Sequence, residues 1–381
     1  MVARAIAAAV LVLASCASAP DASSAPANAL IAEQLPRVEY LGGPFLRRPQ
    51  VVTVTFAGDD PALVARLEVF GEAATRSPWW REVSDGYCAQ PDDCVGDGRP
   101  GRHVRLTDHL MGEVTDVDIE DLLIGVAEDG RLGHLDRESL LLAYLPDGVT
   151  LSDAAAGKYC DGGPRAFHSA LDHDGLRIAY AVVPRCGDEA DLTGTASHEI
   201  LEATTTPDPH RRGFAFPGGS ETAGFTAAGV EPVDPCGLIA GDDRTTVDGG
   251  FAVQRAWSTH AAALGRDPCV PAPSDRPYLA LVPREPAVRL AEVGDTATLD
   301  LEAAADRKTR PWRVSAVDFN TRYGRAPCVD AELDTATVTS GDTVRLTVTL
   351  RRKPPNDRCV LGLISTLDRT EHLWPVAIST R

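Results

Sequence analysis

Residues 51–56 read VVTVTF, a β-branched run whose alternation has the period of two expected of a strand. Asp59, Asp60 and Pro61 then open a helix that continues through LVARLEVFGEAAT: an acid caps free N–H groups, and proline suits the first helical position. Residues 116–127, DVDIEDLLIGVA, predict a second helix, with acids in the first turn facing the positive end of its dipole and Gly130 beyond its end. Residues 140–145 (LLLAYL) and 176–183 (LRIAYAVV) are apolar runs of buried-strand length. Residues 191–204, DLTGTASHEILEAT, predict a third helix. Strands and helices mix without strict alternation, which points to an α+β domain rather than a doubly wound sheet.

The pattern changes after residue 270. Pro271-Ala272-Pro273-Ser274 sets a linker at 271–276. Beyond it, Tyr278–Val282, Thr296–Leu301, Trp312–Phe319, Thr343–Leu350, Val360–Ile364 and Leu373–Ile378 are short runs rich in Val, Thr and Leu. Gly294-Asp295 and Gly341-Asp342 separate them as turns. Six or seven strands in about 105 residues predict an immunoglobulin-like β-sandwich over 277–381.

At the other end, residues 5–14 form an apolar run after Arg4, too short to span a bilayer and suited to a signal peptide over 1–15. The run ends in Leu13-Ala14-Ser15-Cys16, which resembles the lipobox of bacterial lipoproteins. Cleavage there would leave Cys16 as a lipid-bearing first residue, followed by a flexible Ala/Ser/Pro-rich tether over 16–37 and the α+β domain over 38–270. The expected location is extracytoplasmic, with the membrane as partner through that lipid. Of nine cysteines, Cys16 removed, eight remain, the even number a disulfide framework requires. Eight cysteines allow 105 pairings; order and spacing favour Cys88–Cys94, Cys160–Cys186, Cys236–Cys269 and Cys328–Cys359. A cysteine zinc site lacks any CxxC pair. The net charge of −18 argues against nucleic acid as a partner, because a phosphate backbone calls for clustered Arg and Lys.

The candidate chemistry lies in His198-Glu199-Ile200-Leu201-Glu202. Residues i and i+4 of a helix lie one above the other, so His198 and Glu202 can grip one ion from a single turn. Glu199 stands about 100° round, where the HExxH zinc peptidases carry their general base. The second His of that motif is here Glu202; a carboxylate still binds Zn2+, but it weakens selection for zinc over another divalent ion. A third ligand must come from outside the helix, and Glu231-Pro232-Val233-Asp234-Pro235-Cys236 offers two carboxylates beside an expected disulfide. Asp234 is preferred to Glu231 for lying nearer Cys236. No GxSxG elbow, Walker A or GxGxxG pattern competes with this site.

Around these residues the chain resembles the EXORDIUM / phosphate-induced protein 1 family and its bacterial relatives. Tyr40-Leu41-Gly42-Gly43-Pro44, the VVTVTF strand, Ser77-Pro78-Trp79-Trp80 to Tyr87, Tyr159-Cys160 and Phe167-His168 carry the first half of the likeness. Residues 196–204 are similar to the family's SHExxEAxT(D/N)P stretch, Glu231–Cys236 to its ExxDxC, and Val253–Ser258 to its VQxxWS. Pro207 adds a residue before Asp208-Pro209, so Asp208 is off the family spacing. The likeness covers about residues 38–270 and implies a zincin-like, metallopeptidase-like fold. The family brings no settled activity.

The expected roles are a divalent ion, Zn2+ first, on His198, Glu202 and Asp234 or Glu231; Glu199 as general base; His168 as a transition-state donor, with a structural histidine as the other reading; and Asp208 as a partner to His198 or a helix-end turn residue. Trp79 and Trp80 are expected in the core or a cleft wall. Two functions follow: a lipid-anchored hydrolase, foremost a zinc metallopeptidase attacking with a metal-bound water, or a non-catalytic envelope protein whose sandwich binds a peptide or glycan.

Overall fold

The computed structural model describes residues 28–381 except 155, 161, 162, 220, 221, 228, 241–243, 248, 323, 355 and 356. Cys16 and the expected signal segment lie outside the described residues.

The first helix, α1 (Ala29–Gln34), falls inside the expected tether. Asn28 caps it by accepting from the Ile31 N–H, and Ile31 and Leu35 are buried, so the ordered chain starts well before residue 38. Five strands then build one sheet: β1 (Gln50–Thr55), β2 (Arg102–Arg105), β3 (Ser139–Tyr144), β4 (Phe167–His173) and β5 (Leu176–Val183), in the order β4-β5-β3-β1-β2. All pairs are parallel except β4 with β5. The expectation omitted β2 and β4; the β4–β5 hairpin turns at Asp174-Gly175, both at positive φ, where glycine costs nothing and Asp is tolerated.

Both sheet faces are covered, which is why β3 and β5 are apolar nearly throughout. Val51, Leu140, Leu142, Ala179, Ala181 and Val183 face α2 (Pro61–Ala73), the short α3 (Pro78–Val83) and α5 (Glu189–Thr205). Val52, Val54, Leu141, Ala143, Ile178, Tyr180 and Val182 face α4 (Asp116–Glu128) on the other side. Thr115 and Asp118 close a capping box at the start of α4. Trp79 and Trp80 are buried in the first of these cores. After α5 come α6 (Asp234–Ile239) and the hairpin β6 (Arg244–Thr246) with β7 (Ala252–Gln254).

The last third holds β8 (Leu279–Pro283), β9 (Ala287–Arg289), β10 (Thr296–Ala305), β11 (Trp312–Asp318), β12 (Val329–Leu333), β13 (Thr337–Val338), β14 (Thr343–Leu350), β15 (Arg358–Leu367) and β16 (Thr370–Ser379). They form one sheet ordered β8-β10-β14-β12 and another ordered β9-β16-β15-β11-β13. Alternate residues of both sheets, among them Leu301, Ala303, Leu346, Val348, Leu361, Leu363 and Val376, share one core, so the layers form a sandwich. Three of the nine strands, β9, β12 and β13, exceed the expectation.

That core does not stop at the linker. Ile31, Leu35, Phe216, Phe225, Cys236, Ile239 and Trp257 join the same cluster as Tyr278 and Trp374. Residues 271–276 therefore connect two packed bodies rather than tether a free module. The four disulfides pair as expected, 88–94, 160–186, 236–269 and 328–359. Such a set fits an oxidising, extracytoplasmic compartment. Among the described residues, no helix is long and apolar enough to cross a membrane.

Candidate metal centre

α5 starts two residues before the expected helix, because the Asp188 side chain accepts from the Asp191 N–H and caps it. From Leu192 to Thr205 nearly every residue is buried, since the helix lies between the sheet on one side and β7 on the other. Ala196, Ile200, Leu201 and Ala203 fill the core. His198, Glu199 and Glu202 occupy the remaining arc, which is turned toward β4 and α6.

His198 Nε2 lies 3.0 Å from Glu202 Oε2 and 3.9 Å from Asp234 Oδ1. The first distance is close to the ligand–ligand edge of about 3.3 Å in a tetrahedron with bonds near 2.0 Å. The other ring nitrogen, Nδ1, donates to Gln254 Oε1 at 3.1 Å, which turns Nε2 toward the carboxylates. This is the disposition of a metal-binding histidine: one nitrogen free, the other tied to an acceptor. Gln254 is itself held, as its N–H donates to Ser197 Oγ (2.7 Å) and its carbonyl accepts from Trp79 Nε1 (2.9 Å). Trp79 therefore belongs to the core and also steadies the histidine's partner.

His168, on the edge strand β4, completes the cluster. Its Nδ1 donates to Glu199 Oε2 at 3.3 Å and lies 3.8 Å from Glu202 Oε2; its Nε2 lies 3.6 Å from Glu231 Oε1. Two histidines and four carboxylates thus meet in one place. Two triples, His168–Glu199–Glu202 and His198–Glu202–Asp234, have ligand atoms within 4.8 Å of one another. The two carboxylates left open as third ligand separate: Asp234 faces His198, and Glu231 faces His168. Asp234 opens α6, which the Cys236–Cys269 bridge anchors. Its Oδ2 accepts from the Glu231 N–H (3.3 Å), and a Cβ on Gly229 would stand 1.7 Å from that oxygen, so only glycine lets the carboxylate sit there.

Burial opposes the imidazolium of His198, yet Glu202, Glu199 and Asp234 outweigh it and hold its pKa well above the ordinary value. Burial likewise opposes the charged form of His168, and Glu199 and Glu231 more than offset it. The Glu202 carboxyl is pushed up by burial, with Asp234 and Glu231 adding to the effect and His198 opposing it. Asp234 moves up for the same reasons. His168 Nε2, Glu202 Oε1 and Glu231 Oε1 are buried with no hydrogen-bond partner. Buried nitrogen and oxygen donors packed this closely, three of them without hydrogen bonds, suit Zn2+ or Mn2+.

Asp208 is not the partner of His198. Its carboxylate accepts from Arg177 Nε (3.4 Å) and the His210 N–H (3.1 Å), as a helix-end residue does. Gln254 holds that place instead, and the signal was its seat in the residues 253–258 motif. Gln254→Leu should lower affinity for the ion about 10–100-fold, the usual cost of losing such a partner. Metal-competition titration reads the change directly, and an unaltered affinity would deny Gln254 this role.

No protein-family model matches this chain, and no curated protein does. Solved structures are similar to parts of it. A GH5 xyloglucanase from Bacteroides ovatus shares 8% identity over 27% of this chain and 19% of its own, at a TM-score of 0.18. Titin domain M4 shares 14% over 28% of this chain and 95% of its own, also at 0.18. A protein of unknown function from Porphyromonas gingivalis shares 12% over 27% of this chain and 46% of its own, at 0.19. The chain spans about a fifth of the xyloglucanase, and likenesses this slight carry no argument about chemistry, so the centre stands on its own geometry.

Proposed function

We propose that this chain is an extracytoplasmic metal-dependent hydrolase, a zincin-like metallopeptidase related to the EXORDIUM family, held at the membrane by lipid on Cys16 and carrying an immunoglobulin-like sandwich. The observation that carries the reading is the meeting of the HExxE helix with Asp234: His198, Glu202 and Asp234 converge in a buried pocket of carboxylates. A divalent ion there would act as a Lewis acid and bring a water's pKa down to about 7. Glu199 is the group placed to accept a proton there, and that proton could pass through His168, hydrogen-bonded to it at 3.3 Å, to a leaving group. Peptide is the favoured substrate because β4 is an edge strand, paired only with β5, whose outer side offers backbone groups to an extended chain. His168 sits on that strand with its side chain in the cluster.

The Glu199–His168 contact also gives Glu199 a structural partner, which favours the second reading, a non-catalytic envelope protein with a structural ion. The first test is elemental analysis of the full chain beside His198→Ala and Glu202→Ala. Stoichiometric Zn2+ or Mn2+ in the parent that falls in both variants supports the ion on this helix; a metal-free parent removes it.

Chelation adds a pH signature. In the ion-free chain the folded-state pKa values of both His198 and Glu202 lie above their unfolded values, so the folded state binds more protons and stability falls as pH rises. The decline should begin near the ordinary carboxylate value of about 4.3 and continue past the imidazole value of about 6.5. Ion binding needs the deprotonated ligands and strengthens in the same direction. Tm should therefore drop from pH 5 to pH 9 after chelator treatment, and the loss should shrink when the ion is restored. A flat profile in the stripped protein would contradict the cluster's electrostatics.

A further inference from the structure

We propose that the cluster holds two divalent cations: an outer one on His198, Glu202 and Asp234, and an inner one on His168, Glu199 and Glu202, with Glu202 shared between them. This rests on the reading of the HExxE helix as a metal site. It adds an ion that the single-site motif does not contain.

Three observations carry it. The first is the pairing of the histidines. Each turns one nitrogen toward Glu202, His198 Nε2 at 3.0 Å and His168 Nδ1 at 3.8 Å. Each also turns the other nitrogen toward an outer acceptor, Gln254 in one case and Glu231 in the other. Both histidines therefore turn a ring nitrogen to the same carboxylate, and the far nitrogen of His198 is already tied to Gln254.

The second is unsatisfied valence. Glu202 uses one oxygen toward both histidines, and its other oxygen is buried without a partner. His168 Nε2 and Glu231 Oε1 are also without hydrogen bonds, their 3.6 Å separation being too long for one. The side chains of His168 and Glu202 are 5% exposed, so water does not readily make up the deficit. Paired ions stand about 3.5–4 Å apart in two-metal sites, a gap one carboxylate bridges.

The third is charge. Glu199, Glu202, Glu231 and Asp234 bring four negative charges, and none of them pairs with Arg or Lys among the described residues. Two divalent ions with neutral imidazoles balance four carboxylates, whereas one ion leaves at least one carboxylate uncompensated even where His168 is an imidazolium.

The sites differ in access. The His198 and Asp234 side chains are each 22% exposed, against 5–6% for His168, Glu199 and Glu202. The outer ion therefore exchanges first and the inner one slowly. Occupation of the inner site also engages the lone pairs that Glu199 and His168 need to move protons, so the chain with one ion is the working form and the doubly loaded chain is held off.

The test is metal content after dialysis of the full chain against Zn2+, together with the electron paramagnetic resonance spectrum of the Mn2+-loaded protein. Two ions per chain and a spin-coupled Mn2+ pair are expected in the parent, and His168→Ala should keep one ion and lose the coupling. The parent measurement needs no variant to fold. One ion per chain with an uncoupled spectrum overturns the inner site and leaves the single-ion reading standing; no bound ion overturns both.

Discussion

Glu199→Gln should lower peptide turnover about 10²–10⁴-fold, the usual worth of a positioned general base, while the outer ion stays bound. The amide has nearly the shape of the carboxylate, and the ion pairs of His198 run to Glu202 and Asp234 rather than to Glu199, so the outer ligands keep their places. Its partner is His168, and a glutamine can still meet that imidazole at about the present 3.3 Å. What the variant loses is a group able to accept a proton. Under the two-ion arrangement it also loses its inner ion, so metal content falls by one rather than to zero. The measurements are turnover on a peptide library, metal content and Tm. Loss of the outer ion, or unfolding, would make Glu199 a structural residue. Absence of turnover in a metal-loaded parent would favour the non-catalytic reading.

How far such a site can be read from sequence depends on the range of the forces involved. Helices with an acid and a proline at the start, as at Asp60-Pro61, or acids in the first turn, as at Asp116 and Asp118, are decided within one turn and are legible. The disulfides followed chain order because each closes a short stretch between neighbouring elements. The His198–Glu202 pair was legible because helical spacing enforces it. β4 was missed although Asp174-Gly175 is a strong hairpin signal, because its own residues, FHSALDH, alternate weakly. The helix within the expected tether was missed because its stability comes from Ile31 and Leu35 in a core supplied by residues from Phe216 onward. Gln254 and Glu231 acquire their roles only through β7 and α6 folding against α5. Two nearby triples of ligands are a fact of tertiary packing, with no counterpart in linear spacing.

Ending the chain at residue 276 should abolish the fold of what remains. The cut uncovers Phe216, Phe225, Ile239 and Trp257, whose cover includes Tyr278 and Trp374. Phe225 lies between Trp257 and Trp374 in edge-to-face contact, its ring centroid 5.5 and 5.4 Å from theirs. At about 1.5–3 kcal/mol for each large apolar side chain returned to water, several such exposures rival a domain's whole stability of about 5–15 kcal/mol. A polar tie breaks as well: buried Asp267, paired with Arg255 in the retained part, loses His372 Nε2, which lies 3.6 Å from it. The consequence reaches the metal centre. α6, which begins with Asp234, buries Cys236 and Ile239 in the shared core, and Ala240 at its end bridges to His372 on β16. Without that support Asp234 loses its fixed place opposite His198, and the fragment should bind no ion at stoichiometric zinc. Circular dichroism and metal content of residues 28–276, set beside the full chain, decide the matter. A fragment that melts cooperatively and keeps its ion would make the sandwich a docked accessory. Failure on both counts would make it the wall against which the metal-binding half is built.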